Sequence, residues 1–331
     1  MRKELIWAIV IGILFGLIIA FGVWRINLST KSNSQGTQPT PTPESPVTEF
    51  NITLNNPSEN DVEVATPVIV SGITKASTWV AFSGEKGDYL TESDTGGIFS
   101  KDIDLAAGVN QIKVTALDSQ GNSVSQKVLV VYSSSFQTSS PSATPSTIQE
   151  KVSEKVAQAQ NQPKAYIGTV TDIADSTIQI KSLDSQIEQI AIGGDGITAL
   201  NTKGTNNKTI KLTDIAIGDF IVAMGYVNAN EVLNAQRILV TDPVTEPEVS
   251  VSLAKVTDTS KKSITISDTK TGSQSTLTPD KNTDLESFAN GKETTIKLTS
   301  INKGDAVIYV SDQTGTPAIL RSIFDLGASQ N

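Results

Sequence analysis

Neither cysteine nor histidine occurs anywhere in the chain. Their absence excludes a disulfide framework, a thiolate nucleophile, a Cys/His zinc site and a Ser-His-Asp triad, each of which needs one of these side chains. Aromatic residues are scarce at 5%, and apolar residues reach only 37% of the 331 residues. The length fits two or three domains, and the lean apolar fraction requires their cores to be small. An excess of positive charge is also missing, because 26 Lys and Arg stand against 35 Asp and Glu for a net charge of −9. Nucleic-acid affinity comes mostly from neutralising phosphates with Lys and Arg, so nucleic acid is not an expected partner.

The longest apolar run is Leu5–Trp24, LIWAIVIGILFGLIIAFGVW, which holds no charge and no proline. At 1.5 Å rise per residue such a run covers roughly 30 Å, the thickness of a hydrocarbon layer. A cleavable signal peptide has a shorter apolar stretch ending in small residues. Here Ala20-Phe21-Gly22 is followed by Val23, Trp24 and Arg25, an interfacial anchor pattern. The expectation is an uncleaved single-pass signal anchor that meets the lipid bilayer through Leu5–Trp24. Residues 1–4 then stay in the cytoplasm and the bulk of the chain lies outside the cell membrane. Gly12, Gly16 and Ala20 share one helix face at G-x-x-x-G spacing, the pattern for a weak homodimer through close helix approach.

Residues 25–48 are Ser, Thr, Pro and Gln with hardly an apolar side chain. Such a segment cannot bury enough surface to offset its ordering entropy and reads as a disordered tether. A second polar stretch opens the linker 133–163. Within it residues 147–160 place Ile148, Val152, Val156 and Ala159 on one helical face, which predicts a short helix.

Between 49 and 132 the chain alternates short β-patterned runs with turn residues at the spacing of an all-β sandwich. Ile112, Val114 and Ala116 fall on one face of a strand entered after Gly108 and Asn110, while Asp118 and Asn122 bracket the next hairpin turn. A calcium role for Asp94, Asp102, Asp104 and Asp118 lacks the regular loop spacing of an EF-hand, so they read as turn residues. Trp79 precedes Val80 and Phe82, and alternation sends it away from the core those two enter. There it is a candidate for stacking on a sugar or a partner, unless a neighbouring element covers it. Thr66-Pro67-Val68-Ile69-Val70-Ser71-Gly72, Gly97-Ile98-Phe99-Ser100, Leu105-Ala106-Ala107-Gly108-Val109-Asn110 and the Asp118 to Asn122 turn resemble bacterial immunoglobulin-like modules of surface proteins. The resemblance implies an Ig-like β-sandwich over 49–132.

The rest of the chain repeats itself. Val170-Thr171-Asp172 recurs as Val256-Thr257-Asp258, Thr209-Ile210-Lys211-Leu212-Thr213 as Thr295-Ile296-Lys297-Leu298-Thr299, and Gly218-Asp219 as Gly304-Asp305, at a constant offset of 86 residues. Beyond that point the second copy looks two residues shorter, which aligns Arg237 with Arg321. The copies, 164–243 and 248–327, are each long enough for a small closed barrel, which removes sheet edges. Gly218, Asp219, Gly304 and Asp305 read as structural turns that launch the following strand. The pattern resembles small β-barrel repeats of unknown function in bacterial exported proteins, and implies two tandem OB-like barrels. OB folds often bind single strands on aromatic platforms in a basic groove. The first copy has six Lys or Arg against nine Asp or Glu, which argues against that use. Gly193-Gly194-Asp195-Gly196 lacks the Lys-Ser/Thr of a phosphate loop.

The expected protein is mainly β: one N-terminal transmembrane helix, an Ig-like β-sandwich and two tandem small OB-like β-barrels. Its expected function is non-catalytic, the presentation of modules outside the membrane for cell-envelope binding, adhesion or structure. The expected partners are an envelope glycan or a surface protein, and no cofactor is called for. The alternative is a carboxylate-dependent envelope enzyme acting on glycans through paired Asp or Glu.

Overall fold

The computed structural model describes residues 50–136, 162–204, 207–245 and 248–328. The expected span 5–24 with Gly12, Gly16 and Ala20, the tether 25–48 and the expected helix 147–160 lie outside the described residues. All the described residues belong to one compact unit, Phe50–Asn331. Their regular structure is β-strand with two short 3-10 turns, and none of their helices is long and apolar enough to cross a membrane. The mainly β class expected from the alternating pattern is what forms.

Eight strands make up the N-terminal segment: β1 (Thr53–Asn56), β2 (Asp61–Glu63), β3 (Val68–Ile73), β4 (Trp79–Ser83), β5 (Asp88–Glu92), β6 (Ile98–Ile103), β7 (Gly108–Leu117) and β8 (Ser123–Tyr132). They pair as a three-stranded sheet, β1-β3-β6, and a larger run, β2-β8-β7-β4-β5. Alternation aims Val68, Val70, Phe99 and Ile103 of the small sheet at Val80, Phe82, Ile112, Val114, Ala116, Val128 and Val130 of the large one. Phe82 and Phe99 meet edge to face with centroids 5.9 Å apart. Asn110 fixes the entry to β7, since its Oδ1 accepts from the Ala106 amide at 2.7 Å and its Nδ2 donates to the Ala106 and Gly108 carbonyls. Asp118 caps the β7–β8 hairpin by accepting from the amides of Gln120 and Asn122, both at 2.9 Å.

Each copy of the repeat contributes seven strands in the same order. The first has β9 (Lys164–Ala174), β10 (Thr177–Ser182), β11 (Ile187–Ala191), β12 (Thr198–Asn201), β13 (Lys208–Ile210), β14 (Phe220–Val227) and β15 (Val232–Thr241). The second has β16 (Val249–Thr259), β17 (Ile264–Asp268), β18 (Gln274–Leu277), β19 (Asp284–Ala289), β20 (Lys292–Thr295), β21 (Asp305–Asp312) and β22 (Ile319–Ala328). In the first copy the ladders run in a ring, β9-β10-β11-β15-β14 and back to β9, around Val170, Ile178, Ile180, Ile190, Ile221 and Ile238.

The second copy corrects the expectation of two alike closed barrels. Its ladders run β18-β17-β16-β21-β22-β19-β20, and no pairing joins β18 to β22 among the described residues. Register explains the gap. Met224 pairs with Arg237 in the first copy and its counterpart Val310 pairs with Ser322 in the second, so Ser322, not Arg321, stands at the place of Arg237. In both copies the last strand carries a bulge just before this position, at Gln236 and at Arg321. The second copy is therefore one residue shorter, not two. On that register Pro317 replaces Val232, where β11 joins β15 in the first copy. Proline brings no amide hydrogen to a ladder, and β22 starts only at Ile319.

The segments do not hang separately on polar tethers. The outer face of the large N-terminal sheet is buried a second time, with each copy covering a different part of it. Val62, Leu129 and Val131 pack with Ala165, Ile167, Phe220, Val222, Met224 and Leu239 of the first copy. Ala81, Leu90 and Leu117 pack with Val249, Val251, Phe288, Ile308, Val310 and Phe324 of the second. Strand β2 also bridges to β9, with the Val62 amide on the Pro163 carbonyl at 3.0 Å and the Ala165 amide on the Asn60 carbonyl at 2.8 Å.

Candidate functional site

The Gly-Asp turns occupy matching places. Gly218 has φ +94° and Gly304 has φ +100°, a left-handed conformation that costs glycine little. Each donates its amide to the preceding long strand, Gly218 to the Val170 carbonyl at 2.9 Å and Gly304 to that of Val256 at 2.8 Å. Asp219 Oδ2 accepts from the Ala216 amide at 3.0 Å, and Asp305 Oδ2 from the Asn302 amide at 2.7 Å. Asp219 also takes Lys203 Nζ at 2.8 Å, which helps hold its carboxyl below the usual range. The carboxylate-to-amide contacts close each turn on its own backbone.

Trp79 leaves the core of the N-terminal segment, as alternation requires, and enters the seam with the second copy. Its ring meets Phe288 edge to face, with centroids 5.3 Å apart and planes at 90°. That seam is closed by polar groups as well. Arg321 Nη2 donates to the Gly84 carbonyl at 2.7 Å and lies 3.0 Å from Asp88 Oδ1, while Nε donates to Asp88 Oδ2 at 3.2 Å. The Ser322 hydroxyl donates to the same Oδ2 at 2.6 Å. Burial still pushes the Asp88 carboxyl up from its ordinary value, and Arg321 works against that shift. Glu293 accepts from both the Leu90 amide and Lys101 Nζ beside this latch.

The seam with the first copy is open. One cleft of about 700 Å³ is bounded by Glu59, Lys164, Tyr166, Glu188 and Glu231. Burial, reinforced by Asp184, pushes Glu188 up to about 7, and its Oε2 has no hydrogen-bond partner. Burial also raises Glu59, although Oε2 accepts from the Leu129 amide at 3.2 Å. Tyr166 donates its hydroxyl to the Glu231 carbonyl at 2.7 Å, and Lys164 pairs with the buried Asp61 at 2.6 Å. Glu188 thus titrates near neutrality and can give or accept a hydrogen bond there.

A second cavity of about 600 Å³ lies between Gly108, Tyr132 and Ser133 of the N-terminal segment and Leu200, Arg237 and Leu239 of the first copy. Arg237 Nε is buried without a hydrogen-bond partner. None of Trp79, Gly218, Asp219, Gly304 and Asp305 lines either opening. Composition and spacing point to neither Glu188 nor Arg237. A usable signal exists for the arginine, because the only two arginines beyond Arg25 fall in the last strand of each copy. Among the described residues no group of three or more Asp or Glu is placed to hold a metal ion.

No protein-family model matches the chain, and no curated protein matches it. Among solved structures, it is similar to a β-glucuronidase of Parabacteroides merdae at 9% identity and a TM-score of 0.24, over 85% of this chain and 24% of that one. It thus spans about a quarter of that enzyme's length. A bacterial ice-binding adhesin involved in host cell surface retention aligns at 12% identity and a TM-score of 0.19, over 84% of this chain and 97% of the other. The SGBP-B protein of a Bacteroides ovatus mixed-linkage glucan utilisation locus aligns at 12% identity and a TM-score of 0.20, over 84% and 70%. At such scores these likenesses carry no assignment of fold or function.

Proposed function

We propose that this chain is a non-catalytic, membrane-anchored, extracytoplasmic binding protein of the cell envelope. In this reading residues 5–24 anchor it and residues 25–48 hold it off the bilayer. Residues 49–132 are an Ig-like sandwich, and 164–243 and 248–327 are OB-like units, the second opened at Pro317. The observation that supports the reading is the shared sheet: both copies pack on one face of the N-terminal segment, and the first leaves polar clefts at its seam. Clefts between packed segments are common binding places. The test is binding of the 49–331 fragment to envelope glycans, peptidoglycan and envelope proteins. Saturable turnover of any of them would overturn the non-catalytic reading.

A second reading is favoured by one observation. Glu59 and Glu188 line the same cleft, and both carboxyls are raised by burial. Glycoside hydrolysis uses two carboxyls, one of them held protonated. Hydrolysis of an envelope glycan that is lost on Glu188→Gln would select this reading over the first.

A further inference from the structure

We propose that the cavity at Arg237 binds the carboxylate of an acidic saccharide, with the guanidinium as its anchor. The inference deepens the envelope-binding reading and rests on it. The side chain of Arg237 makes no hydrogen bond or ion pair among the described residues, and its Nε is buried. A guanidinium is always charged and is a planar fork that matches a carboxylate, so leaving its buried edge without an acceptor costs stability unless something fills the site.

The matching seam of the second copy holds a carboxylate, met by Ser322 at the place of Arg237 and by Arg321 one position before it. At the bulge of the last strand in the second copy, Arg321 meets the Asp88 carboxylate of the N-terminal segment, with the next residue, Ser322, on the same oxygen. In the first copy the N-terminal segment offers Gly108 and Ser133 across the seam, and a cavity of about 600 Å³ stands open. Glu85 and Asp242 also line it, and neither forms an ion pair with Arg237. The volume is in the range of small-molecule sites.

The remaining walls favour a sugar over a peptide terminus. Tyr132, Ser133 and Thr241 line the cavity and their hydroxyls have no hydrogen bond among the described residues, while Thr202, which also lines it, donates its hydroxyl to the Val240 carbonyl at 3.2 Å. Such a set suits a polyhydroxylated ring carrying one carboxylate. Val222 and Leu239 supply an apolar floor for the ring's C–H face.

The test is saturation-transfer NMR titration of the full chain in detergent with sodium D-glucuronate, D-glucose and N-acetyl-trialanine. Glucuronate should bind, D-glucose should not, and Arg237→Gln should weaken glucuronate by at least about tenfold, the usual loss for a charged hydrogen bond. Equal binding of glucose and glucuronate, an unaffected Arg237→Gln chain, no binding of glucuronate, or binding of the peptide in its stead would each overturn the proposal. If Arg237→Gln fails to fold, Asn207→Trp at the exposed rim should block the cavity with the same loss, and retained binding would overturn it. Binding of envelope glycans by the wild-type chain, read in parallel, separates the two ideas. If that binding persists unchanged in Arg237→Gln, this inference fails and the envelope reading stands.

Discussion

Arg321→Gln should loosen the second copy from the N-terminal segment, and its cost should depend on pH. The side chain of Asp88 is 2% exposed and that of Arg321 is 24% exposed, so the pair is largely withdrawn from water. Removing one partner of a buried pair costs about 3–5 kcal/mol because the remaining charge is stranded. Two features reduce this. Ser322 still donates to Asp88 at 2.6 Å, and Asp88 can take up a proton, since burial already raises its pKa. We therefore expect a loss of about 3 kcal/mol at pH 8 and less at pH 5. The sign follows from linkage. A carboxyl with a folded pKa above its unfolded value of about 3.9 contributes stability that is present at low pH and is lost as pH rises through the folded pKa. Without Arg321 that pKa rises further, so the variant's deficit grows with pH. Asp88→Asn removes the charge and leaves Arg321 with the Gly84 carbonyl and solvent, so it should cost less, about 1–2 kcal/mol. Urea unfolding of the 49–331 fragment at pH 5 and pH 8, with the double variant to close the cycle, measures each quantity. A cost for Arg321→Gln below about 0.5 kcal/mol at pH 8, the level of an ordinary surface substitution, or one equal at both pH values, refutes the reasoning.

Other consequences are as direct. Glu188 is raised from 4.5 to about 7, so the wild-type fragment should lose stability between about pH 4.5 and pH 7 through this group. The full linkage of about 3 kcal/mol, discounted by about half because the group is half exposed, leaves about 1–2 kcal/mol. Glu188→Gln should flatten the pH dependence of the unfolding midpoint, and an unchanged slope would count against the cleft as described. Gly225→Ala places a Cβ 2.0 Å from the Asn234 carbonyl oxygen at the β14–β15 bulge. That overpacking should cost about 1–3 kcal/mol, read as a lower thermal midpoint. Gly218→Ala forces a Cβ into φ +94° and should cost about 1–2 kcal/mol in the same measurement.

Much of this architecture is legible in the residue pattern, and the omissions have physical causes. Alternation places Ile112, Val114 and Ala116 in the core, and all three are fully buried. The duplicated segments fold into the same strand order. Strand β2 is only three residues long, and β5 carries Asp, Thr and Glu among its five, so neither stands out by alternation. The seams are invisible for a different reason. A period of two says which residues leave one core, not whether a second surface covers them. Trp79, Ala81 and Leu117 therefore look like surface positions until the second copy is packed on them. The Arg237 to Arg321 alignment slips because the bulge sets register through backbone pairing, which identity matching cannot see. Glu188 gives no signal because its shift comes from burial between segments distant in sequence.

The central claim is that both copies dock on one sheet of the N-terminal segment and form a single body with it. Trp79 is the one tryptophan in residues 49–331, since Trp7 and Trp24 lie in the apolar run. Its fluorescence therefore reports the seam with Phe288. Urea unfolding of that fragment, followed by Trp79 emission and by far-ultraviolet circular dichroism, should give one coincident transition, and Phe324→Ala in the seam should move both curves together. Two separated transitions, with Trp79 already solvent-exposed before the second copy unfolds, would contradict it.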